Sequence, residues 1–268
     1  MMEHKQISSE NGIVHYWIHR SKREDAKCIV FTHGVTADHT MFEKQVEFFE
    51  GKYTLILWDV PMHGLSRPYR NFSYYNTAVE LHRILKEENM KKVILVGMSM
   101  GGYPSQHFAD LYPNMVDGFI ALDTTPLGLE YYSKSDLWWL KQVAPIAKCF
   151  TDKFLRKSMA KSISNTQYSY QKMMDILKPL SKNDIIDQMR IAYEYFPKEN
   201  KNVNFQFPVL ILVGENDSTG KVKVYCQNWS QKTGYPIHFI KDAKHFSNGD
   251  NPKQVNFEIT RFIDERLG

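Results

Sequence analysis

Cysteine is scarce in this 268-residue chain: Cys28, Cys149 and Cys226 are widely spaced and odd in number. A disulfide framework is not expected, and a reducing, cytoplasmic setting is the simpler reading. Long apolar runs are missing as well, since no 18-residue apolar stretch occurs, so no membrane-spanning helix is expected. The opening MMEHKQISSENG has no apolar centre, so no secretory leader is expected. Neither sign of charge dominates: 34 Lys and Arg stand against 30 Asp and Glu, a net of +4, which supplies no basic footprint for nucleic acid. No H-E-x-x-H, paired C-x-x-C or G-x-G-x-x-G pattern occurs, so no metal and no dinucleotide cofactor is expected. Repeats and low-complexity tracts are absent too. At 43% hydrophobic and 24% charged residues the composition is that of an ordinary globular protein. The length suits one large domain or one domain with a sizeable insertion.

Short apolar runs alternate with longer amphipathic stretches. Runs at 14–18, 28–31, 53–58, 93–96, 116–122, 209–213 and 237–240 read as strands, and their continuous apolar character suits a parallel sheet covered on both faces. Helical patterns fall at 77–89, 101–111, 221–233 and 252–266. The first opens on Thr77-x-x-Glu80, the spacing of a capping box. This alternation predicts an α/β fold with a doubly wound, mostly parallel sheet. From 124 to 204 the alternation stops, and helical patterns rich in Met and aromatic residues run without a convincing strand. The expectation is a core of residues 1–123 and 205–268 carrying a helical cap at 124–204. That cap holds 13 Lys and Arg against 8 Asp and Glu, a solvated helical surface in the plainest reading or a preference for anionic substrates.

The chemistry concentrates in GMSMG, Gly97 to Gly101, which follows a strand-like run and opens a helix-like one. A Ser between two glycines at this spacing can occupy a sharp strand-to-helix turn, with Ser99 Oγ exposed above the sheet. The helix start beneath it offers free N–H groups, and the Met100 N–H becomes a candidate oxyanion donor.

With these residues in place the chain resembles the α/β-hydrolase superfamily over most of its length. FTHG, Phe31 to Gly34, resembles the family's His-Gly oxyanion loop, which implies Val35 N–H as the second donor. WDVPMHGLS, Trp58 to Ser66, is similar to the loop that follows the next strand. LVGENDSTG, Leu212 to Gly220, resembles the strand end that supplies the triad acid, at Asp217, and DAKHFS, Asp242 to Ser247, the loop that supplies the triad His, at His245. The order Ser99, Asp217, His245 is the one this fold uses. Family members also carry their lid as an insertion between the sixth and seventh strands.

Competing assignments exist for each role. Among the histidines, His33 is expected to order the oxyanion loop and to lie within reach of substrate, His63 to make a structural hydrogen bond, and His238, inside a strand pattern, to be a core or packing residue. Asp123 ends the strand at 116–122 and is the main rival to Asp217, and Asp242 precedes His245 in the same loop. A Ser at the nucleophile position argues against the haloalkane-dehalogenase and epoxide-hydrolase branches. The expected reaction is cleavage of a small to medium, largely apolar carboxylic ester through an acyl-serine. A thioester, a lactone, a C–C bond of a ring-cleavage product and a cofactor-free perhydrolysis are alternatives for the same triad, and a ligand receptor of the same fold is the alternative outside enzymes. In the cap, Trp138 and Trp139 are candidate substrate contacts. Neighbours on a helix point about 100° apart, so one is expected to pack the cap and the other to face the pocket.

Overall fold

The computed structural model describes residues 2–23 and 25–268. They form a sheet of eight strands in the order β1-β2-β4-β3-β5-β6-β7-β8. The strands are β1 (Glu3–Ser9), β2 (Gly12–His19), β3 (Cys28–Thr32), β4 (Thr54–Trp58), β5 (Val93–Met98), β6 (Val116–Leu122), β7 (Val209–Gly214) and β8 (Ile237–Ile240). β1 and β2 form an antiparallel hairpin and β2 meets β4 antiparallel, while every pairing from β4 to β8 is parallel. β1 carries no apolar alternation, and at the sheet edge it pairs with β2 alone. With one partner and an exposed, polar face it has no core to declare itself to, so its sequence gave no strand signal.

Alternate residues of each central strand enter opposite layers, as the period of two demands. Val30, Ile56, Trp58 and Leu95 pack on the side of α2 (Tyr74–Glu87), α3 (Gly102–Leu111) and α8 (Val222–Thr233). Ile29, Leu55, Leu57 and Val96 pack on the side of α1 (Glu43–Phe49) and α10 (Pro252–Arg266). The expected capping box is displaced by a turn. Ser73 caps α2, its Oγ accepting from Asn76 N at 2.9 Å, while Thr77 sits inside the helix and donates back to Ser73 O at 2.7 Å. Glu80 turns instead to Tyr69 and Arg83.

Between β6 and β7 run α4 (Lys134–Lys148), α5 (Asp152–Ile163), α6 (Gln167–Leu177) and α7 (Lys182–Glu199). Each starts on a side-chain cap, Ser133, Thr151, Thr166 and Ser181, which explains why helices form here without strands to lean on. β6 and β7 are parallel neighbours, so the chain leaves the carboxyl edge of the sheet at the end of β6, forms the inserted helices, and crosses back to the opposite edge, where β7 begins. No described helix is long and apolar enough to cross a membrane.

Candidate active site

Five parallel strands finish at one edge, and the residues just past their ends meet there. Val35 follows β3, Ser99 follows β5, Asp123 follows β6, Asp217 follows β7 and a short α9 (Ser247–Asp250) is preceded by His245 after β8. The turn after β5 needs its glycines. A Cβ on Gly97 would sit 2.6 Å from Gly102 Cα, and one on Gly101 would sit 2.2 Å from Thr32 O. Ser99 itself adopts φ +51°, the left-handed region that costs a non-glycine residue energy. Thr124 Oγ1 donates to Ser99 O at 2.6 Å and holds the strained turn against β6.

Ser99, His245 and Asp217 are brought into one relay. Ser99 Oγ lies 2.8 Å from His245 Nε2, and His245 Nδ1 lies 2.8 Å from Asp217 Oδ2. A carboxylate only accepts, so Nδ1 carries the proton and Nε2 is left to accept from the serine hydroxyl. Asp217 Oδ1 accepts from Thr219 N–H at 2.8 Å. Burial by itself would raise the Asp217 pKa, but the charge and hydrogen bond of His245 and the Thr219 N–H hold it below its ordinary value. Burial would likewise lower His245, and the Asp217 charge and hydrogen bond outweigh it and leave its pKa raised.

Asp123, the rival acid, is fully buried beside the relay and bonded elsewhere. Its Oδ1 accepts from Gly214 N–H at 2.7 Å, and its Oδ2 accepts from the Ser247 hydroxyl and, at 3.3 Å, from Ser247 N–H. It thereby ties the end of β7 to the segment that carries His245. Burial first, and the charge of Asp217 in addition, push its pKa up to about 7 against the pull of His245. Asp242 lies in the same loop as His245, exposed and without a bond to the imidazole.

Val35 lines the cavity above Ser99, and its N–H has no acceptor among the described residues. Met100 N–H opens the helical turn behind Ser99, where the first N–H groups have no partner within the helix. His33 does not reach substrate space. It is wholly buried, its Nδ1–H donates to Gly34 O at 2.8 Å, and its Nε2 accepts from Val60 N–H at 3.0 Å. Both ring nitrogens are spent joining the loops after β3 and β4, and the ring lies beside that of His63, with centroids 5.4 Å apart. His63 is also buried, bonded to Pro61 O at 3.1 Å, and burial lowers its pKa to about 3. His238 is not a core residue. It lies half-buried and pairs with Glu258 at 2.9 Å, with Arg261 beside it.

The cavity over Ser99 has a volume of about 620 Å³ and a mostly apolar lining. Gly34, Met98, Ser99 and His245 form its floor, and Trp139, Leu140, Val143, Met159, Met189 and Tyr193 from the inserted helices form its roof. The two tryptophans depart from expectation. Neither packs the insertion, since Trp138 is 55% exposed and Trp139 58%, and the rings meet edge to face at 4.9 Å. Trp139 lines the cavity; Trp138 does not. The buried positions of α4 are the small Ala144 and Ala147, so neither large ring is enclosed: Trp139 stands at the rim of the cavity and Trp138 beside it, outside. Sequence reasoning missed Tyr103, Thr125, Tyr132 and Tyr225 on the wall, and the Lys221–Asp136 pair, 2.7 Å, which joins the start of α8 to α4 across the cavity's edge. Their signal exists only in three dimensions, because they come from three separate segments, at 103, 125–136 and 221–225.

Residues 27–252 match the α/β hydrolase fold family. The chain is 22% identical to a candidate esterase/lipase of Haemophilus influenzae, covering 98% of this chain and 92% of that one. It is 22% identical to a 2-(acetamidomethylene)succinate hydrolase of Mesorhizobium japonicum, covering 88% and 87%. Among solved structures it is similar to a thermophilic esterase from Thermogutta terrifontis, with a TM-score of 0.81, 18% identity and 98% of each chain covered. The family match spans most of the sequence and the sheet order, strand-end loops and helical insertion agree with it: the chain belongs to the α/β-hydrolase fold family.

Proposed function

We propose that this α/β-fold hydrolase cleaves small to medium, largely apolar carboxylic esters through an acyl-Ser99 intermediate. The observation that carries the reading is the continuous relay Asp217–His245–Ser99, with both hydrogen bonds at 2.8 Å, opening onto an apolar cavity. A serine hydroxyl is a poor nucleophile near neutral pH and needs an adjacent base. Ser99 Oγ attacks the ester carbonyl carbon while its proton passes to His245 Nε2. The carbonyl oxygen becomes an oxyanion held by the N–H groups of Val35 and Met100, each donor contributing roughly 3 kcal/mol to the transition state. Collapse breaks the bond to the alcohol oxygen, which leaves with the proton from Nε2. Water then gives a proton to Nε2 and attacks the acyl carbon, and the second collapse returns the proton to Ser99 and frees the acid. Asp217 stays ionised throughout, fixing the imidazole tautomer and stabilising its charged form.

Residues 124–204 act in this reading as a cap on the core of residues 1–123 and 205–268. They exclude water from the acyl-enzyme and select the acyl or alcohol chain. The esterase/lipase and hydrolase relatives are in keeping with ester chemistry. A series of p-nitrophenyl esters of rising acyl length, run beside a fluorophosphonate label, tests the reading. Turnover should be abolished by one adduct, on Ser99. Labelling on another serine, or no turnover of any ester in the series, overturns it.

A further inference from the structure

The positive charge of the insertion is concentrated in α4, α5 and the turn between them. Residues 134–163 hold seven Lys and Arg against two Asp. Both of those acids are already paired, Asp136 with Lys221 at 2.7 Å and Asp152 with Arg156 at 2.8 Å. Lys141, Lys148, Lys153 and Lys157 stand exposed. The same stretch holds five exposed large apolar side chains: Trp138, Trp139, Ile146, Phe150 and Phe154. The two tryptophans touch, Ile146 lies two turns further along the face of Trp139, Phe150 lies just past the end of α4, and Phe150 and Phe154 pack with ring centroids 5.0 Å apart. Trp139 and Ile146 also line the cavity over Ser99, so the patch runs into the cavity mouth.

Five large apolar side chains exposed along one short stretch are not the surface of a helix pair that meets water alone. Aromatic rings interleaved with unpaired lysines suit the boundary between an apolar phase and anionic headgroups. A second copy of the chain suits it poorly, because a two-fold contact would set this basic face against itself. We propose that the α4–α5 face docks on an anionic lipid surface, from which an apolar substrate passes Trp139 and Ile146 into the cavity. Docking stands apart from the ester-hydrolase reading; delivery of substrate rests on it.

Co-sedimentation of the full chain with vesicles tests the docking. Vesicles of equal parts phosphatidylcholine and phosphatidylglycerol should bind it and shift its tryptophan emission to the blue. Phosphatidylcholine alone, or high salt, should weaken binding at least about tenfold. Lys141→Gln with Lys148→Gln should lower the partition coefficient about 25-fold, near fivefold for each charge. Trp138→Ser with Phe150→Ser and Phe154→Ser should lower it about tenfold or more. None of these five side chains lines the cavity, so both variants should hydrolyse p-nitrophenyl acetate at the parent rate, which also certifies their folding. Ser99→Ala should bind vesicles like the parent, so that failure of the hydrolase reading and failure of docking are told apart. Absence of binding to the anionic vesicles, or variants that bind as the parent does, overturns the proposal. So does a dimer that the aromatic variant dissolves while vesicles go unbound.

Discussion

The floor and the roof of the cavity are built on different principles. The floor is made of short turns at the ends of parallel strands, and backbone sterics and hydrogen bonds dictate it: Gly97 and Gly101 admit close approach, Ser99 is held in a strained φ, and Asp123 ties two loops together. The roof is made of helices whose side chains supply its shape. Polar groups tie it to the core at many points, among them Phe246 N–H to Ile163 O at 2.8 Å, Gln188 Nε2 to Met62 O at 2.9 Å, Thr166 N–H to Asp250 Oδ1 at 2.8 Å, the Tyr168 hydroxyl to Glu43 Oε1 at 2.6 Å and the Lys221–Asp136 pair. A floor of this kind tolerates almost no change, whereas a roof can exchange one side chain for another and alter only what fits beneath it.

The contrast is broken first at the floor. Ser99→Ala should lower kcat by about 10⁴-fold or more and leave thermal unfolding nearly unchanged, read by steady-state kinetics and calorimetry. A variant that kept a tenth of the activity would remove Ser99 from the chemistry. Asp217→Asn should cost on the order of 10⁴-fold in kcat, because an amide in that position can favour the wrong imidazole tautomer. Asp123→Asn should cost far less, since its oxygens serve Gly214 and Ser247 and not the imidazole. The reverse order of damage would move the acid to the end of β6.

The buried carboxylates sharpen the comparison through pH. His245 must be neutral to accept a proton, and its pKa is raised, so kcat/KM should fall on the acid side with a midpoint above the ordinary histidine value of about 6.5. Residual activity of Asp217→Asn should show that midpoint moved down, because its main raising influence is gone. Asp123 predicts a stability effect of opposite sense to an ordinary ion-paired acid. Its folded pKa, about 7, lies above its unfolded value, so the stability it contributes is present at low pH and lost as pH rises from about 4 to 7. Denaturant titrations should find the difference between the parent and Asp123→Asn changing across that window. A constant difference would mean that Asp123 is ionised throughout.

The smallest effects belong to the roof. Trp139→Ala should shift the preferred acyl length, changing the ratio of kcat/KM between long and short esters by about tenfold. Trp138→Ala, outside the cavity, should leave that ratio unaltered. If both variants alter it equally, α4 selects substrate as a whole and not through one ring.

Much of the fold was legible because buried parallel strands are written as uninterrupted apolar runs. The runs at 116–122 and 237–240 and the helix at 252–266 fall where the structure has β6, β8 and α10. β1 was not legible, since an exposed edge strand buries almost nothing, and neither was the seven-residue α1, too short to build a period. The start of α2 was misread because Thr77 and Ser73 are both plausible caps, and only the packing of Phe72 and Tyr74 into the core chooses between them.

At the site, the local sequence determined what a single turn can determine. A glycine-flanked serine after a buried strand suits a tight turn with a strained serine backbone, and that constraint lies within a few residues. The partners Asp217 and His245 were legible as strand-end residues in a known order, but their meeting at 2.8 Å belongs to the sheet, which brings β5, β7 and β8 to one edge. Tertiary structure alone decided that His33 spends both nitrogens inside the floor, that Asp123 binds Ser247 and not the imidazole, and that Trp139 borders the cavity while Trp138 does not. The reason is physical: what a buried polar group or an aromatic ring does depends on which neighbours satisfy or cover it, and those neighbours come from parts of the chain far removed in sequence.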